Sequence, residues 1–306
     1  MKHDGGRMRI GITGATGFIG SHLAARAQRC GHEVIAYTRR EGVMVSCAAE
    51  TLRQPSHAPH ALLETKLDAL VHLSGESLFG LWTQAKRARI WSSRVDFTRA
   101  LVAHLGTWRA ENRPKAFLCA SGAGFYGSRA TEPADESAPC GGGFLADVCA
   151  GWESAATEVK AMGARVVTLR TGMVLGNGGG ALPLLKGIFG LGLGGKLGSG
   201  NQWMPWIHED DAAGILMKAI ETDAIQGPVN VCAPESVTNA EFTWKLAAVL
   251  RRPTLFHVPA FVLRLFLRGM ADEMLLGGRR VIPRVATEMG YTFTHPTLDS
   301  ALQALL

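Results

Sequence analysis

Apolar positions follow two alternating rhythms along the chain. Met8 to Thr13 (MRIGIT) is a short apolar run ending in glycines, and Phe18 to Cys30 follows with apolar residues at helical spacing, Ile19, Leu23 and Ala27, closed by Gly31. This predicts a strand, a tight loop and a helix. Further strand-like runs lie at Glu33 to Thr38, Ala69 to Leu73, Ala116 to Cys119 and Val166 to Leu169, separated by helical patterns over about 83 to 110 and 145 to 162. Such alternation predicts parallel βαβ units, so the expected fold class is α/β, a Rossmann-type doubly wound parallel sheet. Between 40 and 67 the pattern weakens to one short strand at Val43 to Cys47 and a loop around Pro55 and Pro59.

After Arg170 the texture changes. Glycines crowd 172–200, and helical segments follow from Asp211, Asn239 and Pro259, the second opened by the capping-box spacing of Thr238 and Glu241. The expected division is a main domain over 8–175 with a returning segment about 206–233. Residues 176–205 and 234–306 then form a smaller, mostly helical C-terminal substrate lobe.

Composition narrows the function classes. With 306 residues, 47% of them hydrophobic, the chain can bury a sizeable core, which excludes disorder and coiled coil. The formal net charge of +6 is too thinly spread for a nucleic-acid footprint, and Lys86, Arg87, Arg89, Arg94 and Arg99 read as one solvated helix face. The apolar stretch from Pro259 to Leu267 contains Arg264 and is far shorter than the ~20 residues of a membrane span. Met1 to Arg7 is polar and lacks a signal-peptide core, so a cytoplasmic location is expected. Six scattered cysteines read as reduced thiols, and no metal site is expected, since the close pair His57 and His60 has no cysteine nearby.

Gly14, Gly17 and Gly20 fall at the join of the first strand and helix. Glycines there let backbone approach a pyrophosphate, and the helix start supplies free N–H groups and positive potential. The expected dinucleotide site therefore includes Gly14, Thr16, Gly17, Phe18, Ile19 and Gly20. An acid ending the second strand would select NAD, but this strand ends Thr38-Arg39-Arg40 and Glu41 comes only afterwards, which favours NADP(H).

From these motifs onward the chain resembles the atypical, epimerase-like branch of the extended short-chain dehydrogenase/reductase superfamily, often labelled nucleoside-diphosphate-sugar epimerase or "cell division inhibitor". The resemblance is carried by GATGFIG (14 to 20), HLSGES (72 to 77), SRVDFTRALV (93 to 102), ASGAGFYG (120 to 127), WESAA (152 to 156), LRTGMVLGNGGGAL (169 to 182), GLGGKLGSGNQWMPWIHEDD (192 to 211) and APESVTNAEFT (233 to 243). The stretch PAFVLRLFLRGMADEMLLGGRRVIP is similar to the short domain that closes such chains. The resemblance implies that Leu73, Ser74 and Gly75 pass under the cofactor, that Arg94 helps hold it, and that Ser121 matches the active-site Ser/Thr.

One expected group is missing. The superfamily ordinarily uses a tyrosine with a lysine four residues later for proton transfer, but only three tyrosines exist, and Tyr37, Tyr126 and Tyr291 are followed at that spacing by Glu41, Ala130 and His295. Aligning Glu153 with its superfamily counterpart puts Leu145 and Cys149 at the two positions. Beside Ser121, the substitutes to consider are Glu76, Tyr126 and His208; Cys149 reads as a core thiol. Trp203 and Trp206 could stack on a substrate or pack in the core. The expected function is an NADP(H)-binding oxidoreductase or epimerase-like enzyme acting on a small molecule. The rival is a non-catalytic NADP(H)-responsive sensor.

Overall fold

The computed structural model describes residues 6–39, 42–55, 58–128, 132–254 and 256–306. Its centre is a parallel sheet whose strands are, in chain order, β1 (Arg9–Thr13), β2 (Glu33–Thr38), β3 (Glu50–Arg53), β4 (Ala69–His72), β5 (Ala116–Gly122), β6 (Arg165–Thr171) and, after four short strands outside this sheet, β11 (Gly227–Val231). Their spatial order is β11-β6-β5-β4-β1-β2-β3, all neighbours parallel, with the order reversing between β1 and β4. This is the doubly wound Rossmann arrangement, in which ligands bind at the carboxyl ends of the strands beside that reversal.

Both faces of the sheet are covered, which explains the near-continuous apolar strands. Ile10, Ile12, Val34, Ala36, Val71, Leu118 and Val167 face a core shared with α1 (Phe18–Arg29) and α6 (Glu209–Glu221). Ile35, Tyr37, Leu70, Phe117, Cys119 and Val166 face α3 (Phe97–Gly106) and α4 (Phe144–Thr157). The predicted helix over 83–110 is α2 (Gln84–Trp91), a π-helical turn over Ser92–Asp96, and α3 without a break between them. Its buried positions run Ile90, Val95, Thr98, Leu101, so the extra residue of the π turn falls between Ile90 and Val95.

The third strand is displaced from its expected place. Val43–Cys47 lies in a loop from which Val45 still reaches the core, and the strand itself is the partly exposed Glu50–Arg53 at the sheet edge.

Helix α9 (Arg284–Glu288) packs through Ala286 on the main sheet beside β11, and the lobe contains α5 (Leu182–Gly190), α7 (Asn239–Leu250), α8 (Ala260–Leu267) and α10 (Leu298–Leu305). Short strands pair within and beside it: β7 (Met173–Leu175) with β10 (Trp206–His208), β9 (Trp203–Met204) with β12 (Val237–Thr238), and β8 (Gly195–Leu197) with β13 (Phe256–Val258). The capping box forms at α7, with Thr238 and Glu241 bonding each other's backbone N–H. Trp206 is buried in the lobe core and donates its ring N–H to the Glu235 carbonyl, while Trp203 is half-buried under Arg280. Among the described residues no helix is long and apolar enough to cross a membrane.

Candidate functional site

The loop between β1 and α1 takes its shape from its glycines. Gly14 has φ +74° and lies against the backbone of Leu73 and Ser74, where a Cβ would come within 3.1 Å. A Cβ on Gly20 would stand 2.2 Å from the Gly14 carbonyl oxygen, so only glycine lets the helix start this close to the strand end. Gly17 donates its N–H to Gly14 O at 2.9 Å and forms the N-cap of α1. It brings no capping side chain, and no acidic residue stands in the first turn. The N–H groups of that turn and the positive end of the helix are left for an anion, as a dinucleotide pyrophosphate requires. Thr16 is exposed at the loop tip, Ile19 packs toward the core, and the Phe18 ring lies against Gly176, Gly179 and Gly180, which brings the glycine segment after β7 over the helix start.

Opposite the loop, Leu73 continues from β4 by donating its N–H to Thr13 O, Ser74 is half-buried and Gly75 is exposed. The Arg94 guanidinium lies against Gly75, where a Cβ would be 3.1 Å from its Cζ, and donates to the Glu76 carbonyl at 2.9 Å. It sits in the π turn, stacked 5.2 Å from the Trp152 ring centroid. Burial lowers its pKa, and no carboxylate pairs with it among the described residues. A half-buried guanidinium that feels the Glu76 charge but forms no direct ion pair among the described residues suits a ligand anion. At the end of β2, Thr38 is buried and Arg39 exposed; Arg40 lies outside the described residues.

Ser121, near the end of β5, donates its hydroxyl to Glu153 Oε1 at 2.7 Å. Both Glu153 oxygens are held by Arg170, Oε1 by Nε and Oε2 by Nη2, each at 2.9 Å. Arg170 stacks 3.4 Å from the Phe125 ring centroid and donates to Tyr126 OH at 3.0 Å. Tyr126 in turn donates to Asn230 Oδ1 at 2.6 Å. Its side chain is 1% exposed, and burial pushes its pKa up to about 12, so this phenol serves the buried network rather than the cleft. Burial opposes the Arg170 charge, but its hydrogen bonds to Glu153, the Glu153 charge and the contact with Tyr126 together outweigh burial and raise its pKa.

Glu76 and His208 stand elsewhere. Glu76 pairs with Lys86 at 2.8 Å and approaches Arg89 at 3.7 Å, and the Lys86 hydrogen bond holds its carboxyl below the usual range, which favours the ion pair over a proton donor. His208 accepts the Asp210 N–H at the start of α6 and packs 3.9 Å from the His295 ring. Burial lowers its pKa, and its neighbours belong to the α1/α6 side of the sheet, whereas Ser121 faces α4. The structure thus joins Ser121 to Tyr126 and leaves the other two candidates in separate contacts.

On α4, Cys149 is buried with its sulfur near Ser121 and the Gly122 N–H, and burial pushes the thiol up to about 11. Leu145 is in the first turn. Glu273, from the lobe, accepts the N–H groups of Phe144 at 3.0 Å and Leu145 at 2.7 Å, capping a helix whose own N-cap is Gly143. Sequence spacing could not expose this cap, because its partners lie 128 and 129 residues apart. Arg170 was more accessible, since a charge inside the apolar strand VVTLRT demands a buried partner.

A family model described as "NAD dependent epimerase/dehydratase family" matches residues 10–232. The chain belongs to that family. Residues 258–305, which include Glu273, match a domain of unknown function, DUF1731. Epimerase family protein Mb2239 of Mycobacterium bovis is 36% identical over 294 residues, covering 96% of each chain. The crystal structure of human epimerase family protein SDR39U1 with NADPH superposes with a TM-score of 0.88 at 34% identity, covering 97% of this chain and 99% of that one. MoeE5, solved with UDP-glucuronic acid and NAD, gives a TM-score of 0.75 at 19% identity over 97% of both chains, a likeness of fold.

Proposed function

We propose that the chain is an NADP(H)-dependent enzyme of oxidoreductase or epimerase type, acting in the cytoplasm on a small molecule and not on nucleic acid. The observation that carries this reading is the start of α1, which the chain itself leaves uncapped and free of acids behind a turn where a Cβ on Gly14 or Gly20 would press on backbone. Arg94 supplies a second anion contact, and the NADPH of the human relative supports the same use of the site. Preference for the 2′-phosphate rests on Thr38-Arg39-Arg40, where no carboxylate ends the strand. The free cysteines suit a reducing compartment.

Bound nicotinamide would exchange a hydride with a substrate carbon. Ser121 would hold the oxygen on that carbon, with Glu153 and Arg170 fixing the serine and Leu145 and Cys149 forming the apolar wall beside it. Titration calorimetry tests the cofactor assignment: NADPH is expected to bind roughly 10- to 150-fold tighter than NADH, the range for charge-assisted phosphate contacts. Removing Arg39 and Arg40 together should narrow that gap, and equal affinities in the wild type would refute the assignment. A panel of aldehydes, ketones, quinones and nucleotide sugars should include a compound that oxidises bound NADPH, more slowly in Ser121→Ala at unchanged NADPH affinity.

A further inference from the structure

We propose that Ser121 is an acceptor-only contact, so that the ligand received there presents a hydroxyl, as an alcohol or sugar does, and is recognised in its alcohol rather than its ketone form. This rests on the reading above that the space beside Ser121 receives the substrate.

A serine hydroxyl has one proton and two lone pairs. The proton of Ser121 is committed to Glu153 Oε1 at 2.7 Å, because a carboxylate can only accept. Glu153 cannot turn away, since Arg170 holds both of its oxygens. Arg170 is itself fixed by Tyr126 OH, by the Glu136 carbonyl and by the Phe125 ring. The serine proton therefore points toward Glu153, which leaves the lone pairs of Ser121 for a ligand that reaches it. The nearby Cys149 is kept as a thiol by burial, takes the Gly122 N–H on its sulfur and hydrogen-bonds with Ser121, so the neighbour in contact with the serine offers a carbonyl only a weak S–H donor. Leu145 offers none. A ketone oxygen at Ser121 would set lone pair against lone pair, whereas a hydroxyl would donate to it.

The polarity can be lifted by taking the acceptor away. Replacing Glu153 by leucine and Arg170 by methionine together removes the group that holds the serine proton and strands no charge. The proton of Ser121 then becomes available to a carbonyl.

The test uses matched pairs of rising size: 2-propanol and acetone, cyclohexanol and cyclohexanone, 1-phenylethanol and acetophenone. Each is titrated by ligand-observed NMR against NADP⁺-loaded protein and against cofactor-free protein, because the acceptor face is built by the chain alone. At least one alcohol is expected to bind roughly tenfold tighter than its ketone, the effect of one matched hydrogen bond. Ser121→Ala should erase the preference, and so should Glu153→Leu combined with Arg170→Met. Equal or better ketone binding in the wild type overturns the proposal, as does failure of every alcohol to bind. So does a folded double variant that keeps the alcohol preference; should it not fold, Ser121→Ala decides alone. Cofactor affinities measured on the same samples keep the two readings apart. Loss of the NADPH preference refutes the cofactor assignment, while intact cofactor binding with indifferent ligands refutes only the acceptor site.

Discussion

Truncating Glu153 to alanine should be among the most damaging single changes near the site. The side chains of Arg170 and Glu153 are 6% and 13% exposed, so the substitution leaves a buried guanidinium without its bidentate partner. Breaking a buried pair from one side costs about 3 to 5 kcal/mol. Ser121 also loses the acceptor of its proton, worth about 1 kcal/mol more. A loss of roughly 4 to 6 kcal/mol is comparable with the whole stability of many domains. Urea unfolding, followed by circular dichroism at constant slope, reads it directly. The informative control is the double replacement Glu153→Leu with Arg170→Met, which removes both charges and keeps the volume filled. It should recover most of the loss, because no ion is then stranded. A single variant costing under about 1 kcal/mol, or a double variant no better than the single, would refute the view that this pair organises the region.

Two further outcomes are expected. His72 is fully buried between Phe97 and Phe117, with Nδ1 bonded to Thr13 Oγ1, and burial, aided by the Arg94 charge, lowers its pKa to about 3. Its folded pKa lies below the ordinary value near 6.5, so the stability it contributes is complete above that pH and is lost as pH falls toward 3. Between pH 7 and pH 4 the stability of the wild type should fall by about 3 kcal/mol more than that of His72→Gln; parallel curves for the two proteins would count against a neutral buried imidazole. The loop glycines separate folding from binding. Alanine at Gly20 must displace the Gly14 carbonyl and should cost about 1 to 3 kcal/mol in urea. At Gly17 the nearest contact is 3.1 Å, so alanine should cost less than about 1 kcal/mol yet weaken NADPH binding at least tenfold by calorimetry. Identical effects of the two substitutions would contradict the geometry.

Much of the Rossmann half was legible because its strands are buried on both faces. Ile10, Ile12, Val34 and Val71 on one side and Ile35, Leu70 and Phe117 on the other produce runs that no exposed element would carry. The same logic misplaced the third strand. Glu50–Arg53 sits at the sheet edge with little burial, while the apolar signal came from Val45 in a loop. The glycine turn could be read because each glycine answers a local steric demand. The polar interior could not, because its members meet only through the fold: Ser121 with Glu153, Tyr126 with Asn230, Glu273 with the start of α4. Spacing says which residues share a face, and a buried network is assembled from several faces at once.

The π turn sets the rotational phase of the stretch from Gln84 to Gly106. Its extra residue acts as a phase shift, since the buried side advances five positions from Ile90 to Val95 before resuming the ordinary step of three or four. An unbroken α-helix over the same residues would turn everything beyond it by about 100° relative to the sheet. Leu101 and Leu105 would leave the core together, and Arg94 would swing from Gly75. Point substitutions on the exposed face leave that phase untouched. The backbone phase of this one helix is therefore a determinant of the core in its own right, carried by no particular side chain.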